Sequence, residues 1–323
     1  MLYPEINENN KFWLDVGDNH QVYVEESGNP DGIPVVYCHG GPGGASNSLI
    51  RQLFDPELYR IISYDQRACG LSKPFLSIEN NTTADLISDL EKIRCYLKIE
   101  QWVVAGGSWG TTLALLYAQA YPERVSALLL RGIFLGRKQD LAWLYEAQGA
   151  AKLFPDYYQE FIKPISSEHK TASQIIKAYF ELLTSDNQIQ QLNAAKCWCL
   201  WESQISRLHF TPNLKPEATE AHHSLAMALL EAHYFANNCF ISENQILDNI
   251  NKIQHIPATL IHGRYDAVCD LSQAWQLNQA WENSKLLIVP KAGHSLGETA
   301  IAHSFCQASR ALAVYFQEKN KQD

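Results

Sequence analysis

The chain has 323 residues, 46% of them hydrophobic, which suits one large globular domain or a core domain with an insertion and excludes a disordered chain. Asp and Glu outnumber Lys and Arg by 35 to 26, a formal charge of −9, so neither a nucleic-acid surface nor a face for an anionic membrane is expected. The acidic N-terminus is no signal peptide, the eight cysteines read as reduced thiols of a cytoplasmic protein, and Cys197-x-Cys199 lacks zinc-site spacing, so no metal is expected.

Residues 22–24 and 34–38 read as the first strands and 60–64 as the next. Residues 85–97 carry apolar side chains at 86, 90, 93 and 97, a helical period. The longest uncharged run, 101–122, is long enough for a membrane span. Gly106, Gly107, Ser108 and Gly110 instead divide it into a strand (102–105), a turn and a helix (111–120) stopped at Pro122. A strand at 125–130 follows. From about 136 to 245 the pattern turns helical and rich in Trp, Tyr, Phe, Ala and Gln. After Pro257 the alternation returns: strand 258–261, helix 272–280, strand 285–289, and a closing helix from about Ala300. Continuous apolar strands between helices predict an α/β fold with a mostly parallel central sheet and helices on both faces. Residues 1–135 and 246–323 form the expected core, and 136–245 an inserted helical cap.

Chemistry concentrates at strand ends. Gly106-Gly107-Ser108-Trp109-Gly110 is a G-x-S-x-G pattern between strand and helix, the setting of a nucleophile elbow. A serine needs a base and the base an orienter, in the chain order Ser, Asp or Glu, His for this architecture. Asp266, after the strand at 258–261, and His294, after the last strand, fill those roles. His262 lies within its strand and reads as a core or supporting residue, and His222-His223 as solvated. The glycine-rich His39-Gly40-Gly41-Pro42-Gly43-Gly44 suits backbone donors for an oxyanion, with Gly41 as one candidate and Trp109 as the other. Its spacing matches no phosphate-binding loop.

Together with Asp65-Gln66-Arg67-Ala68-Cys69-Gly70-Leu71-Ser72, Arg131-Gly132-Ile133-Phe134 and Gly263-Arg264-Tyr265-Asp266, these pieces resemble the prolyl aminopeptidases (proline iminopeptidases) of the α/β-hydrolase fold. Ala68 stands where that family usually has Gly. The resemblance implies release of N-terminal proline from short peptides through an acyl-enzyme, without metal or organic cofactor; the sequence leaves the oligomeric state, monomer or small homo-oligomer, open.

Such an exopeptidase must hold a cationic imino group near the scissile carbonyl, and carboxylates are its natural partners. Glu202 and Glu231 are flanked at helical spacing by apolar residues, an expensive position unless something compensates. Pattern alone equally allows both to reach water or to pair with Lys or Arg. The resemblance assigns them to the imino group, and Phe134 to the proline ring. It sets Tyr145 at the same pocket, where Leu144 interrupts the family's run of aromatics, while for any single Trp or Tyr of this stretch burial in the cap's own core is the more usual role. Cys69 and Cys269, near strand-end loops, are expected to be reachable by bulky thiol reagents. An esterase or lipase is the competing reading; it shares the triad but needs an apolar acyl pocket without acids.

Overall fold

The computed structural model describes residues 1–166, 168, 170–208 and 218–319. Eight strands make one sheet: β1 (Glu8–Gly17), β2 (His20–Gly28), β3 (Ile33–Cys38), β4 (Tyr59–Tyr64), β5 (Trp102–Ser108), β6 (Val125–Ile133), β7 (Ala258–Gly263) and β8 (Ser284–Val289). Their spatial order is β1-β2-β4-β3-β5-β6-β7-β8. The β1–β2 and β2–β4 pairings are antiparallel and the rest parallel. A profile of mostly parallel strands wrapped by helices is the α/β-hydrolase architecture expected from the sequence.

Sequence reading missed β1. Its apolar side chains Phe12, Leu14 and Val16 alternate with Trp13 and Asp15, and Asn9, Asn10 and Lys11 open it, so only half of an edge strand carries a signal.

Before the strand that carries the serine come the short α1 (Ser48–Arg51) and α2 (Thr83–Tyr96). Thr82 starts α2 by accepting from the Asp85 amide while the Asp85 carboxylate accepts from the Thr82 amide, a reciprocal cap. α3 (Trp109–Ala120) follows β5 without a linker and ends before Pro122. Strand periodicity places the residues of β5 alternately on the two faces: Trp102 and Val104 join the core under α2 and α3, while Val103 and Ala105 join Tyr37, Ile61 and Phe305 on the other. That second face is closed by α11 (Thr299–Lys319), and α10 (Leu271–Ala280) connects β7 to β8.

Between β6 and β7 lie α4 (Lys138–Tyr145), α5 (Pro155–Ile162), α6 (Ala172–Leu183), α7 (Gln188–Ile205), α8 (Ala218–Ala236) and α9 (Gln245–Asp248). Their aromatic centre is dense: Phe161 stacks on Tyr179 at 5.0 Å and on Trp201 at 5.6 Å, and Tyr179 meets Trp198 edge-on at 5.0 Å. This centre belongs to the same apolar cluster as the sheet face under α3, so the helical segment shares the core's packing. Among the described residues, no helix is long and apolar enough to cross a membrane.

Candidate active site

Ser108 ends β5 and opens α3 with φ 57° and ψ −128°, backbone geometry that an L-residue holds only when its surroundings enforce it. The enforcement is steric. A Cβ on Gly106 would sit 2.5 Å from the Gly110 carbonyl oxygen, and one on Gly110 would sit 2.0 Å from that of Cys38. Thr111 Oγ1 donates to the Ser108 carbonyl at 2.8 Å and holds the turn from inside the helix. The first amides of α3, beginning with Trp109, lack intrahelical acceptors and favour negative charge beside the serine.

Asp266 and His294 come from the loops after β7 and β8. His294 Nδ1 lies 2.7 Å from Asp266 Oδ2, while Asp266 Oδ1 accepts from the amides of Val268 (3.0 Å) and Cys269 (2.8 Å). Burial pushes this carboxyl upward, yet the charge and hydrogen bond of His294, with His262 and the Cys269 amide, bring it below the ordinary Asp value. It is an anion with nowhere to go. His262 is buried as expected: Nδ1 accepts from the Ile133 amide at 3.0 Å, so Nε2 carries the proton toward the Cys269 carbonyl at 2.8 Å. Burial pushes its pKa down, which keeps it neutral. Gly132, at φ 59°, underlies the catalytic candidate: a Cβ there would lie 2.8 Å from His294 Cε1.

Gly41, at φ 112°, also requires glycine, because a Cβ would meet the amides of Gly43 and Gly44 at 2.6 and 2.7 Å. Gln66 ties this loop to the elbow. Its Nε2 donates to the His39 carbonyl (2.9 Å), its Oε1 accepts from the Trp109 indole (3.0 Å), and its amide donates to His39 Nε2 (2.9 Å). The sequence marked Gln66 only as part of a motif. Nothing in spacing could reveal a bracket between segments 27 and 43 residues away.

Glu202 on α7 and Glu231 on α8 lie close enough for each carboxyl to shift the other. The Tyr145 hydroxyl donates to Glu202 Oε1 at 2.7 Å and the Trp198 indole to Glu231 Oε2 at 2.5 Å. Among the described residues neither glutamate has a Lys or Arg partner within ion-pair distance, which removes the alternative of a satisfied salt bridge. Burial raises both carboxyls, and the charge of Glu202 raises Glu231 further, well above the usual Glu value. Trp198 was not singled out in the sequence, since one Trp of a buried helix face looks like any other.

Ser108, His294, Gly41, Glu202 and Glu231 line one cavity of about 400 Å³. A cavity of equal volume between α5 and α7 contains none of them. Phe134 and Tyr145 are not among the residues lining the catalytic cavity. Phe134 packs on Phe235 at 5.8 Å, and Tyr145 packs on Trp198 at 4.7 Å while it holds Glu202. Tyr145 thus reaches the cavity through the Glu202 carboxylate. The expected reach of thiol reagents is corrected. Cys69 and Cys269 are fully buried, and burial pushes both thiols well above their usual value. All eight cysteines are unpaired. Among the described residues no cluster of His, Cys, Asp and Glu could hold a metal ion.

A profile of the α/β-hydrolase fold matches residues 33–300. A probable proline iminopeptidase of Leptolyngbya boryana is 43% identical over 309 residues, 95% of each chain. Proline iminopeptidases of Arabidopsis thaliana and Neisseria gonorrhoeae are each 45% identical, covering 96% and 92% of this chain and 82% and 94% of theirs. Among solved structures, an esterase from Exiguobacterium antarcticum superposes with a TM-score of 0.63 over 93% of this chain and 98% of its own. At 18% identity that likeness is one of fold alone.

Proposed function

The chain belongs to the proline iminopeptidase family of α/β hydrolases, and from that membership we propose that it releases N-terminal proline from short peptides by serine acyl transfer. Glu202 and Glu231 hold the substrate's cationic imino group. Ser108 Oγ attacks the proline carbonyl as His294 takes its proton, and Asp266 orients and stabilises the imidazolium. The amides of Gly41 and Trp109 receive the oxyanion. His294 then protonates the leaving amine, the peptide bond breaks, and water activated by the same imidazole frees proline from the ester. Residues 136–245 act as a cap that brings the glutamates over the strand ends of the core (1–135 and 246–323). Eight unpaired thiols suit a cytoplasmic setting.

One observation carries this reading: an unneutralised glutamate pair and the Ser108–His294 site share a single cavity. A buried carboxyl (Glu231) beside a half-buried one (Glu202), with no cationic partner among the described residues, is costly, and a substrate imino group offsets that cost on binding. An esterase would gain nothing from them. The test compares the amides of proline, alanine and N-acetylproline. Proline amide should be cleaved fastest, alanine amide more slowly, and the N-blocked compound not at all; equal cleavage of blocked and free proline would refute imino recognition.

A further inference from the structure

A second cleft of about 370 Å³ adjoins the catalytic cavity, sharing Gly40, Ala45, Asn47, Arg131, Ser206 and His294 with it. Its character differs. The glutamates line only the first; among the described residues no Asp or Glu lines the second, which adds the Arg207 guanidinium to the Arg131 that both share. Arg131 is anchored: Nη1 donates to the His294 carbonyl at 3.0 Å, and its buried Nε has no partner. Arg207 forms no ion pair among the described residues. The neighbouring carboxylate, Glu298, instead accepts from the amides of Leu208 and Gly293, both at 2.6 Å. In a chain with a net charge of −9, a cleft with two arginines and, among the described residues, neither an acid nor an ion pair is a local reversal of sign.

The chemistry fixes which end of a peptide meets it. The imino group lies with Glu202 and Glu231, and the leaving nitrogen must lie beside His294 to receive its proton. The departing fragment therefore extends past His294, away from the glutamates and into the second cleft. We propose that this cleft is a leaving-group subsite that selects short peptides by their free C-terminal carboxylate, with Arg207 as the specificity-determining residue. This rests on the peptidase reading above. Arg131 also supports the His294 loop, whereas Arg207 has no described polar contact with the triad, which makes it the residue to vary.

The readout is the ratio of kcat/KM for prolylglycine over prolylglycinamide, which differ only in the terminal charge. The protein should favour the free acid by about tenfold at low ionic strength, as expected for a half-exposed charge-assisted contact, and the preference should shrink with salt. Arg207→Gln should bring the ratio close to one, and Arg207→Lys should keep part of it. A ratio near one in the unaltered protein, or one unmoved by Arg207→Gln, would overturn the subsite. Failure to cleave either compound, or proline arylamide, would instead overturn the peptidase reading itself.

Discussion

The candidate site holds buried carboxylates on two sides, Asp266 and Glu231, and the two sides treat them in opposite ways. On the rim of the sheet, Asp266 has every lone pair engaged, by His294, His262 and two amides, and is held below the ordinary Asp value. On the helices above, Glu231 has an indole and another carboxyl for company and is driven well above the ordinary Glu value. A filled site makes a stable anion that can orient a base for every turnover. On the proposed reading, an unfilled one waits for a cation. Position near the serine does not separate these roles; the number of donors aimed at each carboxylate does.

Breaking the rim side alone should give the largest effect. Ser108→Ala should lower turnover of proline amide by about 10⁴-fold or more and abolish labelling by fluorophosphonates, while proline amide still binds. Retained turnover in the folded variant would mean that another nucleophile is in use. A finer cut is Gly132→Ala, which puts a methyl group against the imidazole on a backbone with φ 59°. It should lower kcat by roughly 10- to 100-fold and leave KM nearly unchanged. A rise in KM without loss of kcat would place Gly132 in substrate binding.

On the helical side, the raised pair must lose its protons before it binds a cation well. The KM for a proline substrate should therefore fall as pH rises above the usual carboxylate range. Tyr145→Phe removes a hydrogen bond that favours the Glu202 anion, moving that fall to higher pH and lowering acid-side kcat/KM by about fivefold. An unmoved profile would make Tyr145 a packing residue only. The smallest effect concerns stability. Glu231 has a folded-state pKa above its unfolded one, so its contribution is fully present below the unfolded value and is lost as pH rises through the folded one. Glu231→Gln should thus raise Tm by on the order of 2 °C at alkaline pH, with the gain vanishing in acid. A lower Tm at every pH would show that the carboxylate supports the fold.

The same contrast explains what could be read in the sequence. The rim was legible because its geometry is local: Gly106, Ser108 and Gly110 lie within one turn, and Asp266 and His294 each follow a strand directly. The parallel strands announced themselves as continuous apolar runs, whereas β1, half-exposed at the edge, did not. Glu202 and Glu231 stood out as acids on apolar helix faces, but their partners did not, because the Tyr145 and Trp198 contacts span 57 and 33 residues. Gln66, bridging loops of three separate segments, is the extreme case. Side-chain brackets formed by tertiary packing leave no periodic trace in the chain.

The measurement that bears most directly on the division of labour is a two-substrate comparison of Glu202→Gln and Glu231→Gln. One substrate is proline amide and the other a small neutral ester without an amine. Removing one partner of a buried charge pair typically costs about 2–5 kcal/mol, so kcat/KM for the amide should fall by roughly 30- to several thousand-fold. Ester hydrolysis, which uses only the rim, should stay close to that of the unaltered protein. Equal losses on both substrates would contradict imino recognition and make the glutamates structural, and no loss on either would hand the site to an esterase.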